Sequence, residues 1–533
     1  MKVHHSSLFT LLFKCRSATV EFSLPLYTMN PNCSKMRTIS FVQQKAELAN
    51  NETQVFDFEG TLLRSTSLFP YFMLVAFEAG GILRSVILFL SYPLVWLVGE
   101  DQLGLKIMVF LCFFGIRKDT FRTGSAVLPK FFLEDIRGEI FEALMCYERT
   151  VATSQLPRIM VENFLKDYLG VEAVMARELK SFSGFFLGVY EKNNPNKISS
   201  YKINGGTKGR NINNKCTGMV DSNHIEFIDQ GQLHQQFKEV CLADENRNCH
   251  VLSREKYPKP LIFHDGRLAF RPTLVSSLVL FIWLPFGLFL CLLRFTIGIA
   301  LPLNVSAPIL ALSGTRTTIS RPQSTVSLVH SEEKKKGMLY VCNHRTLLDP
   351  LYVSIVLGKP LSTVTYSLSR LSETVSPIKT IRLTRDREKD REKMNKLLSL
   401  GNLVVCPEGT TCREPYLLRF SPLFAELAAN IVPVAIDVKV SMFYGTTASG
   451  YKCLDPFFHF MNPNPTYTIK FLEMLQQSQT CLGGGKSKIE VANFVQKEIC
   501  KALGFVCTSM TRKDKYLVLA GNEGVSSCNN CHQ

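Results

Sequence analysis

With 533 residues the chain has room for two or three domains and an ample core. Apolar residues make up 46% of it and the mean hydropathy is slightly positive, too apolar a balance for a chain without membrane segments. The formal charge of +16 suits an anionic lipid surface or phosphorylated small molecules, and without a basic-aromatic module or zinc-finger spacing nucleic acid is set aside as a partner.

Residues 1–50 form a basic leader with a short apolar patch, Leu8 to Phe13, and no acid before Glu21. That composition reads as a disordered segment, with a mitochondrial presequence as the alternative. The 17 cysteines are odd in number and unpatterned, which fits thiols in a reducing compartment.

Gln54-Val-Phe-Asp-Phe-Glu-Gly-Thr-Leu-Leu63 opens the next unit, residues 51–245. It resembles the first motif of haloacid-dehalogenase (HAD)-type phosphatases, which implies an α/β domain with Asp57 at the nucleophile position and Thr61 at the later hydroxyl. Glu59 stands where a second aspartate is expected. Its extra methylene displaces a proton donor whose placement matters on the ångström scale. Thr153-Ser154, followed by Pro157, resembles the phosphate-contacting second motif. Downstream, Asp221, Glu226 and Asp229 do not reproduce the carboxylate pattern that would hold Mg²⁺ through hard oxygen ligands. The site reads as degenerate, and the half as a structural remnant packed on another domain.

Residues 67–116 are apolar apart from Glu78, Arg84, Glu100, Asp101 and Lys106. Those interruptions favour a re-entrant or interfacial hairpin over a clean span. Lys192 to Cys216, rich in Asn, Lys and Gly, reads as a loop. Leu274 to Leu293 offers 20 residues without a charge, long enough to cross a hydrocarbon core, with Pro285 inside and Arg294 at the end. The apolar character continues to residue 305.

From 306 to 525, short Val/Ile/Leu/Tyr runs alternate with helical patterns, as expected of an α/β sheet covered by helices. Within it, Met338-Leu-Tyr-Val-Cys-Asn-His-Arg-Thr-Leu-Leu-Asp-Pro350 is an apolar strand that delivers His344 and Asp349 into a turn. Histidine suits proton removal near neutral pH, and an aspartate accepting its other N–H would fix the tautomer. Five residues apart, the two do not share a helix face, so the strand must end before His344 and the next helix must open at Asp349. Three further stretches follow: Thr380-Ile-Arg-Leu-Thr-Arg-Asp-Arg387, Gly401-Asn-Leu-Val-Val-Cys-Pro-Glu-Gly-Thr-Thr-Cys-Arg413 and Asn430-Ile-Val-Pro-Val-Ala-Ile436.

In this order and at these separations, the four blocks resemble the motifs of the glycerolipid acyltransferase superfamily, specifically the land-plant membrane-bound glycerol-3-phosphate acyltransferases. Val55 to Thr61, Pro70 to Gly80, Pro260 to Arg267 and Lys513 to Gly521 carry the same resemblance, from about residue 50 to 525. It implies an acyltransferase that moves an acyl group from acyl-CoA to glycerol 3-phosphate, giving lysophosphatidic acid, with His344 as base and Asp349 orienting it. It further implies that Arg382, Arg385 and the Glu408-Gly409 turn bind the acceptor's phosphate end, with Arg413 as an additional ligand. Guanidinium forks suit phosphate, and a glycine turn offers N–H groups. Ionised Glu408 cannot bind phosphate itself, so it is assigned to orienting an arginine or a substrate hydroxyl.

No metal or cofactor is required beyond acyl-CoA as co-substrate. The partners implied are the two substrates and a lipid bilayer, that of the endoplasmic reticulum first and of the mitochondrion second; the oligomeric state is not encoded legibly. Acylation of a lysophospholipid, or a bifunctional acyltransferase and phosphatase, are the competing readings. Gly483-Gly-Gly-Lys-Ser487 lacks the earlier glycine of a phosphate loop, where Thr480 stands, and Ser487 to Glu490 reads as a capping box. Cys528-Asn-Asn-Cys-His532, in the tail of residues 526–533, matches haem-attachment spacing by chance.

Overall fold

The computed structural model describes residues 36–38, 53–100, 102–147, 149–191, 216–220, 237–242, 250–322, 337–359, 361–366, 376–427 and 430–524. Asp221, Glu226, Asp229 and the Cys528 tail lie outside them. The chain is α/β, built on two sheets.

The first half comprises β1 (Met36–Thr38), β2 (Thr53–Asp57), α1 (Phe69–Val98), α2 (Leu103–Phe113), β3 (Arg149–Ser154), α3 (Arg158–Asp167), β4 (Ala173–Ala176), β5 (Cys216–Val220) and β6 (Phe237–Leu242). Its six strands pair in parallel in the order β1-β6-β5-β2-β3-β4. A single π-type turn, Phe58–Leu62, follows β2.

α1 is two helices joined at Gly81, whose φ of 80° breaks the helical course. Residues 69–77 before the kink are buried in the core of this half, whereas beyond it Leu83, Leu90 and Leu97 are exposed. Arg84 donates to the Cys112 and Phe114 carbonyls, both at 2.8 Å, which pins α1 to the end of α2 as a hairpin.

The second half begins with α4 (Leu274–Ala300), α5 (Leu303–Leu312) and β7 (Arg316–Ser320). Then follow β8 (Leu339–Cys342), α6 (Asp349–Leu357), β9 (Ser362–Thr365), β10 (Lys379–Arg382), α7 (Arg387–Leu400), β11 (Leu403–Val405), β12 (Ile431–Lys439), α8 (Asp455–Phe460), β13 (Thr466–Phe471), α9 (Lys488–Leu503) and α10 (Arg512–Ala520). By length and composition, α1 and α4 are able to cross a membrane.

α4 runs 27 residues, so at 1.5 Å per residue it is about 40 Å long. Arg294 therefore lies inside the helix rather than at its end, as the apolar run alone implies. Ser277, Leu280, Gly287, Cys291 and Arg294 form its one buried stripe, and Val275, Ile282, Phe286 and Phe289 are among the side chains left exposed. Arg294, fully buried, donates to the carbonyls of Phe460 (2.7 Å), Asn462 (2.6 Å), Pro463 (3.0 Å) and Ser313 (2.5 Å), and to Ser313 Oγ (3.0 Å). Those oxygens let the guanidinium leave water without ending the helix.

The second sheet has the order β10-β9-β11-β8-β12-β13-β7, with only the β12/β13 pair antiparallel. β8 is apolar throughout because it is covered on both faces. Leu339 and Val341 face a core shared with α7 and α9, and Tyr340 and Cys342 face one shared with Tyr352 and Val353 of α6. β8 to β12 run the same way, so all five carboxyl ends open on one edge, where crevices of open α/β sheets lie.

Candidate active site

β8 stops at Cys342, and His344 stands in the turn beyond it. Asp349 begins α6 and Pro350 follows it in the first turn, where a missing N–H costs nothing. Asn343 holds the turn to the sheet: its amide donates to the Ile436 carbonyl at 2.8 Å and accepts the Ile436 N–H at 2.7 Å. The outcome is a contact of 2.9 Å between His344 Nδ1 and Asp349 Oδ2.

Asp349 is fully buried and His344 keeps 15% of its side chain exposed. The carboxylate also accepts the N–H of Arg345 at 2.6 Å, the N–H of Thr346 at 2.9 Å and the Thr346 hydroxyl at 3.0 Å. Burial opposes charging of His344, while the hydrogen-bonded Asp349 carboxylate favours it and raises the ring's pKa. Cys406 lies 3.3 Å from Cys342, sulfur to sulfur, and this contact together with burial keeps its thiol protonated.

Glu408 follows β11 and is buried. Its Oε1 accepts the backbone N–H of His344 at 2.7 Å and its Oε2 that of Leu418 at 2.9 Å. In the folded chain Glu408 orients the turn that carries His344. Burial pushes its carboxyl up to about 7, against the two N–H donors. Gly409 adopts φ 67°, and its own N–H closes a turn onto the Cys406 carbonyl at 3.2 Å, so glycine supplies the backbone conformation here and not a free donor. Lys515 of α10 braces the same loop from behind, donating to the Thr411 carbonyl at 2.6 Å.

Arg382 ends β10, and Arg385 lies three residues on with φ 69°, both exposed near the edge onto which His344 opens. Buried Asp390 builds that turn by accepting the Thr384 N–H at 2.7 Å, the Thr384 hydroxyl at 2.9 Å and the Arg385 N–H at 2.9 Å. Arg413 differs from both. Its guanidinium is buried, donates to Thr446 Oγ1 at 2.8 Å, lies 3.5 Å from Asp265 and stacks 4.3 Å over the Tyr444 ring. Those partners occupy its donors and remove it from the phosphate ligands; it anchors the loop after β11 to the segment around Asp265.

Residues 53–245 match the family model described as a glycerol-3-phosphate acyltransferase RAM2-like, HAD-like domain, and residues 323–437 match the acyltransferase model. Probable glycerol-3-phosphate acyltransferase 3 of Arabidopsis thaliana is 51% identical over 479 residues, spanning 89% of this chain and 91% of that protein. This chain belongs to the glycerol-3-phosphate acyltransferase family. Within the family, glycerol-3-phosphate acyltransferase 1 of Arabidopsis thaliana is 46% identical over 89% of this chain and 82% of its own. Glycerol-3-phosphate acyltransferase RAM2 of Petunia hybrida is 42% identical over 87% and 96%. Among solved structures, the 1-acyl-sn-glycerophosphate acyltransferase of Thermotoga maritima overlaps 43% of this chain and 87% of its own at 14% identity and a TM-score of 0.26, too loose to carry an argument.

The acyltransferase's HAD-like half is closed on itself at the residues singled out from the sequence. Asp57, buried, accepts the Gly60 N–H at 3.2 Å, and Thr61 is buried in the same turn. Glu59 reaches to the end of β3, where its carboxylate takes a short hydrogen bond from the Ser154 hydroxyl and the N–H groups of Gln155 and Leu156, both at 3.2 Å. Ser154 belongs to the stretch that resembles the phosphate-contacting second motif, and the longer Glu59 side chain occupies its hydroxyl. Burial, then the adjacent Asp57, raises the Glu59 pKa to about 7.

The sequence assigns no role to several residues of this acyltransferase. Arg345 donates to the carbonyls of Cys412 and Glu414, both at 2.8 Å, and to Asp437 at 3.1 Å. Asp265 accepts the Ser449 hydroxyl at 2.7 Å and the N–H groups of Ala448 (3.1 Å) and Ser449 (3.0 Å), while Glu78 of α1 accepts the Arg267 N–H at 2.6 Å. The Pro260–Arg267 segment thereby ties the HAD-like half to the loop after β12. Adjacency to His344 is the clue for Arg345, and for Asp265 it is the family resemblance of Pro260 to Arg267, which names no role.

Proposed function

We propose that this enzyme transfers the acyl group of an acyl-CoA thioester to a hydroxyl of glycerol 3-phosphate, releasing CoA and lysophosphatidic acid. The observation that carries the reading is the 2.9 Å contact between His344 Nδ1 and Asp349 in a turn on the carboxyl edge of the sheet. In the deprotonated ring the Nδ1–H donates to Asp349, which leaves the Nε2 lone pair to take the proton of the attacking hydroxyl. The hydroxyl oxygen bonds to the thioester carbon, the tetrahedral intermediate collapses, and His344 returns the proton to the departing sulfur. The acceptor stands where a serine stands in a protease triad, so no acyl-enzyme forms.

Arg382 and Arg385 are assigned to the phosphate end. Both are exposed near the edge onto which His344 opens, and forked guanidinium donors match phosphate oxygens. The exposed apolar faces of α1 and α4 support seating in a bilayer, which we assign to the endoplasmic reticulum.

The test uses microsomes expressing wild type, His344→Ala and Asp57→Asn, supplied with radiolabelled glycerol 3-phosphate and acyl-CoA. Lysophosphatidic acid is expected from wild type and Asp57→Asn and not from His344→Ala. Labelled monoacylglycerol that disappears in Asp57→Asn would establish a working phosphatase, and product from His344→Ala would remove the histidine from the chemistry.

A further inference from the structure

Behind Asp349, on the side away from His344, lies a chain of hydroxyls that the mechanism above does not use. Asp349 Oδ1 accepts the Thr346 hydroxyl at 3.0 Å, and Thr346 Oγ1 makes a short hydrogen bond with the Tyr467 hydroxyl. Threonine has one hydroxyl proton. Thr346 gives it to Asp349 while its oxygen accepts the Leu348 N–H at 3.1 Å, so the proton in the remaining contact belongs to Tyr467. The Tyr467 oxygen is itself 3.5 Å from Asp349 Oδ1.

The sheet explains how a residue 118 positions away reaches the site. β13 runs antiparallel to β12 with Tyr467 opposite Val438, so the start of β13 shares an edge with the ends of β8, β11 and β12. Tyr467 is fully buried, and burial, then Asp349, holds its phenol in the protonated, donating form. Tyr352, one turn beyond Asp349 on α6, stacks on its ring at 3.6 Å and 15°. His459 closes the wall edge-on, 5.5 Å from the Tyr467 ring; it is buried, and neither ring nitrogen has a hydrogen-bond partner among the described residues. Burial, then Arg294, lowers its pKa to about 3, so it presents no charge to Asp349.

Resting on the acyl-transfer reading, we infer that Tyr467 and Thr346 are positioning residues of the dyad, holding Asp349 Oδ1 so that Oδ2 stays aimed at His344 Nδ1. The hydroxyls withdraw charge from the carboxylate, and removing them strengthens its hold on the imidazolium proton. The other titratable and charged groups near the dyad are Cys342 on β8, Arg345 in the turn, and Cys406 and Glu408 after β11; all are retained in the variants below.

Tyr467→Phe keeps the ring and its stack while deleting one oxygen. In microsomes, kcat is expected to fall about tenfold, the size of one hydrogen bond to a charged network, with KM for glycerol 3-phosphate unchanged. The acid limb of the kcat/KM pH profile moves to higher pH. Thr346→Val behaves alike, Thr346→Ser restores both readouts, and Tyr467→Phe combined with Thr346→Val is no worse than Thr346→Val alone, because the two act in series. A Tyr467→Phe enzyme with wild-type kcat and an unmoved acid limb overturns the inference. If that variant does not accumulate, equal activity and equal pH profiles of Thr346→Val and Thr346→Ser overturn it instead. Wild type assayed beside His344→Ala separates the two ideas: no transfer by wild type refutes the acyl-transfer reading, whereas transfer with an indifferent Tyr467 refutes only the relay.

Discussion

Glu408 and His344 are joined through the backbone: a carboxylate oxygen from the end of one strand accepts, at 2.7 Å, the N–H of the residue that follows its neighbour. Replacing Glu408 by Ala leaves the N–H groups of His344 and Leu418 buried without an acceptor, at about 1–3 kcal/mol each. Glu408→Gln retains one acceptor and turns an amide donor toward the other N–H. For Gln we expect kcat to drop about tenfold with KM for glycerol 3-phosphate unchanged, since the effect passes through the position of His344. Steady-state kinetics in microsomes check this; a change confined to KM would place Glu408 on the substrate instead.

The turn built by Asp390 separates geometry from charge at Arg385. Glycine adopts the φ of 69° found there without strain, so Arg385→Gly preserves the turn and deletes only the guanidinium. KM for glycerol 3-phosphate should rise about tenfold with kcat little changed, whereas Asp390→Ala, which frees the loop, should raise KM and also lower thermal stability. An Arg385→Gly enzyme with wild-type KM would remove Arg385 from phosphate binding.

Glu59 gives stability a pH dependence of known sign. Its carboxyl is raised from 4.5 to about 7, so the folded state holds a proton that the unfolded chain has already released. Stability is full below pH 4.5 and declines as pH rises through about 7, by up to about 3 kcal/mol. Glu408 contributes with the same sign. Glu59→Gln should therefore flatten, without abolishing, the decline of the melting temperature between about pH 5 and 7 in detergent solution. An unchanged slope would show that Glu59 titrates normally.

Arg294 binds α4 to the acyltransferase half through four backbone carbonyls and the Ser313 hydroxyl. Arg294→Leu suits the apolar helix but leaves several buried carbonyls unsatisfied, a loss of about 3 kcal/mol or more. Arg294→Lys, with three donors on a single nitrogen, should recover only part of it. Thermal aggregation of the detergent-solubilised chain measures the difference; a leucine variant as stable as wild type would mean that α4 is held by apolar packing.

The α/β class, the two apolar helices and the strand, turn and helix that carry His344 and Asp349 are legible in the amino-acid order because each rests on contacts a few residues apart. An all-apolar run makes a covered strand, proline after Asp349 marks a helix start, and Ser487 with Glu490 closes a capping box on one helical turn. The roles of Glu408, Arg413 and Arg294 rest on longer contacts and read differently once the chain is folded. A glutamate beside glycine is the same in sequence whether it meets a ligand or a backbone N–H.

By itself, then, the sequence determined which local elements form, which residues the family motifs bring together, and that Glu59 is one methylene longer than the aspartate expected there. Tertiary structure alone decided what each buried polar group answers to: Glu59 to Ser154, Glu408 to His344 and Leu418, Arg413 to Thr446 and Asp265, and Tyr467 to Thr346. The reason is desolvation. A group removed from water must find a partner wherever the packed elements supply one, and strand order, set by the whole chain, decides where that is.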